Sequence, residues 1–596
     1  MIRLINDDFR RDTKAQREKM SNKLEKINIH IFVKLLLGGF LVVLIGSIII
    51  LSSVPPTSRD ALTHHLAVPK LYLKHGGIYE IPELEFSYYP MNLDLLYLIP
   101  LSLGNDIIPK FIHLSFALMT AWLIFSYLKK RIDTYYGLIG VILFLSLPVI
   151  IKLSTTAYVD LGLIFFSTAS ILYLLKWIES DFNVKYLIYS AIWCGFALGT
   201  KYNGLVSLFL LTLFVPFIYL QFAQDKTSRQ IKAFCYGAIF LLISLVIFSP
   251  WMIKNAIWTG NPIYPLYDNM INQEKKSLNT RDTSYSTDST KSTTDTYRKK
   301  SKERLGPFGI RRLVYGEKWW ETAAIPVRVF FQGKDNNPKY FDGRLNPYLF
   351  ILPVFAFLKF NGQSNELKTE KKIFLTFVLL FLLYTFMQTD MRIRYISPMI
   401  PPLVMLTVLG LNEIVAFINN KYSKTVGKKI IGCVFVFMAF LLSLNIVYLI
   451  DQFRITEPMS FIAGRVDRDE YIEKYRPEYA AINYANLNLP VNAKILCLFL
   501  GNRGYYFDRK NAFSLDLVSK TILRENSSEK ILVELEGKSI THILARYDLF
   551  SQWLQDNYSD RERKVVNKFF RTHTSLIFSK NGHGLYQLKK QVIEDG

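Results

Sequence analysis

The densest set of reactive side chains lies at residues 55–96, PPTSRDALTHHLAVPKLYLKHGGIYEIPELEFSYYPMNLDLL. Arg59, Asp60, His64 and His65 place a cation, a carboxylate and two imidazoles in one short run. Such a set can hold an anion and take a proton from a hydroxyl. The residues just before it, 31–53, are almost wholly apolar and about 20 residues long, enough to cross a bilayer. Charged groups so close to a membrane face cost free energy unless they are solvated or paired, so each is a functional candidate. The plainer reading makes Arg59 and Asp60 a solvated pair that ends a helix.

Three other places carry side chains of the same kind. They are Tyr158-Val-Asp160, Lys201 and Tyr202 in GTKYNG, and Arg392, Arg394 and Tyr395 in QTDMRIRY. Taken singly, each is explained by a long side chain reaching from the membrane edge to water. Together they put two carboxylates and three cations at one depth, from four separate parts of the chain. Transfer of a group from an anionic lipid needs that combination: fixed cations for the phosphate and a carboxylate base for the acceptor hydroxyl.

The elements that position them are apolar. Half of the 596 residues are hydrophobic and 15% are aromatic, which fits a polytopic α-helical membrane protein with a soluble appendage. About eleven spans are expected, over 31–53, 107–128, 134–151, 156–177, 185–200, 204–222, 231–250, 347–360, 372–388, 394–417 and 428–450. Every second loop is basic. The tail 1–30 carries Arg10, Arg11, Lys14 and Arg17, and later loops carry Lys129, Lys130 and Arg131, then Lys226, Arg229 and Lys232, and finally Lys421, Lys424, Lys428 and Lys429. That alternation predicts a cytoplasmic N-terminal tail, an extracytoplasmic C-terminus and multi-pass insertion in the cytoplasmic (inner) membrane. It also accounts for the formal charge of +23 without nucleic acid. The four cysteines form no CxxC, so neither a disulfide frame nor a zinc site is indicated.

Three long segments fall on the outer side: 54–106, 251–346 and 451–596. In the first, LDLLYLIPLSLG is too short and too interrupted to span and reads as an interfacial or re-entrant helix. The second opens on SPWMIKNAIWTGNPIYPLYDN, read as a loop on the membrane surface, and holds a polar insert at about 270–305 read as mobile. The third reads as a small α/β domain, with EYAAINYANLNLP and SEKILVELEGKS as helices. AKILCLFLG and THILARYD read as buried strands, and TSLIFSKNGHGLYQL as a hairpin turning at Asn-Gly. It shows no catalytic motif and is expected to act as a cap.

At this level of detail the chain resembles the GT-C class of integral-membrane glycosyltransferases, in the bacterial branch similar to protein O-mannosyltransferases and the lipid A aminoarabinose transferase. The resemblance rests on RDALTHHLAVPKLYLKHGGI, YYPMNLDLLY, TTAYVDL, GFALGTKYNGL, SPWMIKNAIWTGNPIYP and RIRYISPMIPPL, which lie in order across most of residues 30–420. It implies a catalytic domain over 31–450 that uses a polyprenyl-phosphate sugar donor and an acceptor lipid, glycan or protein. It also implies a catalytic aspartate in the first external loop, matched by Asp60, and a second acidic residue matched by Asp160. Ala61 stands where the family often has glutamate, so a divalent metal ion at Asp60 and Asp160 is left open. No other cofactor is implied.

The chemistry has its own logic. Phosphate is a good leaving group, so one carboxylate base suffices where a glycosidase needs an acid and a base. Asp60 would deprotonate the acceptor, which attacks the anomeric carbon with inversion. Lys201 and Arg394 would hold the phosphate, joined by Arg392, while Arg59, His64, His65, Tyr202 and Tyr395 complete the binding surface. A transporter or flippase of a polyprenyl-linked sugar is the alternative, and a non-enzymatic scaffold working through 451–596 is a second. The spans are poor in charge and the polar residues crowd one face, which favours the enzyme. The alternation of basic loops gives a direct test. A reporter active only outside the cytoplasm should be active when fused after Gly596 and silent when fused after Lys130, and activity at Lys130 would overturn the span order.

Overall fold

The computed structural model describes residues 31–223, 228–268, 308–358, 365–386, 391–515, 517–519 and 527–589. The expected tail 1–30 and the whole polar insert at 270–305 lie outside the described residues.

Every apolar run expected to span falls on a helix. They are α1 (Ile31–Ser52), α3 (Ile108–Arg131), α4 (Thr134–Leu145), α5 (Pro148–Ser154), α6 (Asp160–Glu179), α7 (Val184–Thr200), α8 (Gly204–Phe222) and α9 (Arg229–Thr259). The series continues through α10 (Tyr348–Phe355), α11 (Asn365–Phe386), α12 (Ile400–Lys421) and α13 (Lys424–Thr456), while α2 (Ala67–His75) belongs to the loop after α1. Seven helices among the described residues are long and apolar enough to cross a membrane alone, and α4 with α5, bent by 69°, makes an eighth if the pair is one span. The bend falls where Leu147 is extended and Pro148 opens the next helix, since proline cannot continue the preceding one. The other three expected spans are helical but fall short: α7 has 17 residues, α10 has eight, and α11 begins on Glu366, Lys368, Glu370, Lys371 and Lys372.

One expected loop is corrected. The chain from 251 is no surface loop at first, because α9 runs 31 residues through Pro250 to Thr259, about 46 Å. Tertiary contacts hold this extension against the helix-breaking tendency of Pro250. The indole N–H of Trp251 donates to Asn92 Oδ1 at 2.8 Å, and the Asn255 amide donates to the Tyr88 carbonyl at 2.9 Å. The stretch LDLLYLIPLSLG forms two short helices, Asn92–Leu96 and Leu98–Ser102, with Ile99 and Leu103 exposed.

The C-terminal region is an α/β unit. Its helices α14 (Tyr479–Asn488), α15 (Ser528–Gly537), α16 (Tyr547–Asn557) and α17 (Asp560–Thr572) flank one five-stranded sheet. The strands are β1 (Lys494–Leu498), β2 (Lys510–Ala512), β3 (His542–Arg546), β4 (Thr574–Lys580) and β5 (His583–Leu588), in the order β2-β1-β3-β5-β4. β2, β1 and β3 run parallel, and β5 and β4 join antiparallel. Strand alternation sorts the core: Ile495, Cys497 and Leu544 pack with α14, and Leu496, Leu498 and Ile543 with α15, α16 and α17. The hairpin turns at Asn581-Gly582, both at positive φ, as the Asn-Gly pair predicts.

Close helix packing depends on small residues, as is usual where lipid removes the hydrophobic drive between helices. A Cβ at Gly410 of α12 would lie 2.1 Å from the Leu352 carbonyl oxygen of α10, and backbone cannot move aside cheaply. A Cβ at Gly432 of α13 would meet nothing within 4 Å. Gly410→Ala should therefore cost about 1–3 kcal/mol, read as a lower unfolding temperature in detergent, while Gly432→Ala leaves it unchanged or raised. Equal effects of the two would contradict this packing.

Candidate active site

The segment that bears Asp60 is an unusual piece of helix. Asp60 precedes a five-residue π-turn, Ala61–His65, in which the Leu66 N–H donates to the Ala61 carbonyl at 2.9 Å. Such turns collect at functional positions because the extra residue re-aims side chains. Two basic groups on α3 anchor the surroundings. Lys110 Nζ donates to the Val54 carbonyl at 2.6 Å, satisfying an acceptor just past the end of α1. His113 Nδ1 lies 3.0 and 2.9 Å from the Leu153 and Thr156 carbonyls, and its Nε2 accepts from the Leu161 N–H at 2.9 Å. One imidazole thus ties the end of α5 to the start of α6, where Asp160 stands.

The helix Asn92–Leu96 wedges between α6 and α7. A Cβ at Gly162 would collide with Leu93, and one at Gly199 with the Asn92 amide. The two glycines thus let Asp94 lie close to both Asp160 and Lys201. Lys201 and Tyr202 form the link between α7 and α8, and Arg394 and Tyr395 lie in the 3₁₀ turn Ile393–Met399 that leads into α12.

These pieces meet around one cavity of about 950 Å³. Arg59, Asp60, His64, His65, Lys201, Tyr202, Arg392, Arg394 and Tyr395 all line it. Of the residues singled out in the sequence, Tyr158 and Asp160 do not. Asp160 is set back from the cavity. It is fully buried behind Lys201, whose Nζ donates to Asp160 Oδ1 at 2.7 Å. The second ion pair is Arg394 Nη2 to Asp60 Oδ2, 2.6 Å. Arg392 lies 3.5 Å from Asp342. Lys201, Arg392 and Arg394 all sit within 6 Å of the Tyr395 ring, and Arg394 also covers Tyr158, so aromatic faces support the cations.

Electrostatics separate the carboxylates. Burial alone would raise the Asp60 carboxyl, but the Arg394 guanidinium and the nearby imidazoles outweigh it and hold it well below the usual carboxylate range. Burial pushes Asp94 up to about 7 and His65 down to about 3. The hydrogen bond between His65 Nδ1 and Asp94 Oδ1, 2.7 Å, is therefore favoured in its uncharged form. His64 stacks on Phe86 with ring centroids 4.3 Å apart, and burial with the neighbouring His65 holds its pKa well below the ordinary value.

Among the described residues, four buried polar atoms around this cavity have no hydrogen-bond partner: Arg394 Nε, Arg392 Nε, Asp160 Oδ2 and His64 Nδ1. Each such atom costs about 1–3 kcal/mol, so a cluster of them marks a surface built to bind. A divalent metal ion does not fit the donors present. Asp60 and Asp160 are each closed on a basic side chain, and among the described residues no group of three or more His, Cys, Asp or Glu is arranged to hold one.

Sequence reading missed Asp94 and His113, and named Tyr158 only beside Asp160, without a role. Asp94 is a carboxylate inside an apolar interfacial helix and His113 an imidazole inside a span, and both are signals of function in a membrane protein. Tyr158 gave no such signal; its carbonyl accepts the Tyr97 hydroxyl, a pairing set only by the fold.

Residues 107–253, from the start of α3 to within α9, match the family model for dolichyl-phosphate-mannose-protein mannosyltransferase. No curated protein sequence matches the chain. Among solved structures, ArnT from Cupriavidus metallidurans bound to undecaprenyl phosphate is similar over 92% of this chain and 98% of its own, at 10% identity and a TM-score of 0.52. The same protein in the apo state is similar over the same shares, at 12% identity and a TM-score of 0.51. At such identities the likeness establishes the fold. That fold is a multi-pass membrane one, and the family match, over about a quarter of the chain, lies across the helices that carry Asp160 and flank Lys201.

Proposed function

We propose that the protein moves a sugar from a polyprenyl-phosphate donor to an acceptor lipid, glycan or protein on the outer face of the cytoplasmic membrane, with inversion. The observation that carries this reading is the pairing of Asp60 with Arg394 and of Asp160 with Lys201 around one cavity. The cavity has an apolar wall as well, formed by Leu205, Val206, Phe209 and Leu210 of α8 with Leu380 and Leu383 of α11. Phe209 is 63% and Leu383 54% exposed, so the wall is continuous with the lipid-facing surface. An isoprenoid chain suits that wall and a phosphate suits the cations beside it. The structurally similar ArnT, bound to undecaprenyl phosphate, supports a donor of this class.

The steps follow from the pairs. The donor phosphate takes Lys201 Nζ and Arg394, whose Nε has no partner among the described residues and whose planar fork suits a bidentate oxyanion. A second anion on Arg394 dilutes its hold on Asp60, so the carboxylate gains basicity only when donor is bound. Asp60 takes the acceptor O–H proton, the oxygen attacks the anomeric carbon, and the bond from that carbon to the phosphate oxygen breaks. Polyprenyl phosphate leaves with the bonding electrons, its charge met by Lys201 and Arg394. Asp160 acts through Lys201, holding the ammonium in place. Tyr395 and Tyr158 exclude water around the cations.

This assigns different kinetic roles. Asp60→Asn removes the proton acceptor and releases Arg394, so transfer should fall roughly 10²–10⁴-fold while binding of undecaprenyl phosphate is kept or tightened. Lys201→Ala and Arg394→Ala should weaken that binding as well as turnover, because phosphate charge is present before and during the reaction. The assay is transfer from undecaprenyl-phosphate sugars by purified protein in detergent, at equal folded amount. Equal rates for wild type and Asp60→Asn would remove Asp60 from the mechanism.

A further inference from the structure

The C-terminal domain enters the active site rather than merely covering it. Its β1–β2 loop reaches down to the segment that bears Asp60. The Tyr505 N–H donates to the Leu62 carbonyl at 3.1 Å, and the Tyr506 hydroxyl to the Pro56 carbonyl at 2.7 Å. Arg476, just before α14, donates to the Thr57 carbonyl at 2.5 Å. In return Lys70 of α2 donates to the Tyr505 and Phe507 carbonyls, at 2.8 and 3.2 Å, and pairs with Asp508 at 3.0 Å. Tyr505 is buried with Ala61, Leu62 and Leu66, and its hydroxyl donates to Asp106, which Arg468 also holds. The loop is thus fastened on both sides of Asp60, by backbone carbonyls that no substitution at those positions removes.

Between β1 and these fastenings the loop turns through left-handed backbone at Phe499, Gly501 and Asn502. Gly501 and Asn502 line the cavity. Asparagine tolerates that conformation, and among the described residues no hydrogen bond of the Asn502 carboxamide to the protein is present. The lipid-facing wall of α8 and α11 is made of other elements. The loop instead adjoins the residues that flank Asp60, where the attacking hydroxyl must come.

We infer that this loop forms the acceptor side of the cavity, with the Asn502 carboxamide hydrogen-bonding a hydroxyl- or amide-bearing acceptor. The inference rests on the transferase reading above and adds a specificity-determining residue to it. Asn502→Gly keeps the left-handed backbone at no steric cost and removes the carboxamide, and Asn502→Asp keeps the shape but turns a donor into an anion.

The test uses full-length protein in detergent, the undecaprenyl-phosphate sugar that supports transfer, and an envelope extract from cells lacking the protein, titrated as the acceptor source. In Asn502→Gly the half-saturating amount of extract should rise roughly three- to tenfold, the loss of one or two hydrogen bonds. The inhibition constant of free undecaprenyl phosphate should not change, and the rate at saturation should stay within about twofold. Asn502→Asp should also raise the half-saturating amount. An unchanged half-saturation in both variants, or weakened inhibition by undecaprenyl phosphate, overturns the inference. Failure of the underlying reading looks different: wild type transfers from no donor, and the inference falls with it. If Asp60→Asn matches wild type, the base assignment alone fails and the Asn502 result still decides.

Discussion

An ionised group at the edge of a bilayer must be paired, hydrated or neutralised, and this constraint shapes the whole site. Asp60 and Asp160 are each paired with a cation less than 3 Å away, whereas burial pushes Asp94, which faces an imidazole, toward its protonated form. Carboxyls in one neighbourhood thus differ because two close on a fixed cation while the third is buried without one. The arrangement gives a phosphate two cations already desolvated and already aimed. In the proposed mechanism the same pairing keeps Asp60 a weak base until an anion competes for Arg394.

No single helix could build this site. Asp60 follows α1, Asp160 opens α6, Lys201 links α7 to α8, and Arg394 leads into α12, so the fold exists locally to bring four distant points together. Much of the buried polarity serves that purpose. His113 joins α5 to α6, Lys110 closes the end of α1, and Gly162 and Gly199 make room for the helix that carries Asp94. The C-terminal domain adds a clamp on the carbonyls around Asp60. A domain without a catalytic motif of its own can in this way set the geometry of a distant carboxylate.

What the sequence disclosed, and what it withheld, follow from range. The apolar runs, the basic loops, the Asn-Gly hairpin and the alternating strands of the last domain are local signals, and each marks its element. Asp60, Lys201 and Arg394 were legible because charge at a membrane edge is costly wherever it occurs. The course of α9 past Pro250 was not, since its continuation depends on Trp251 and Asn255 finding partners in another segment. The pairing of Asp94 with His65, the retreat of Asp160 behind Lys201, and the reach of the β1–β2 loop are tertiary facts with no local signature.

The central claim is that Asp60 and Arg394 work as one unit whose pairing the donor phosphate disturbs. A double-mutant cycle tests it most directly, comparing transfer rates of wild type, Asp60→Asn, Arg394→Ala and the double variant at saturating acceptor. The account predicts strong non-additivity, with the double variant no slower than about the worse single one. Losses that simply multiply would show two groups acting independently, and would contradict it.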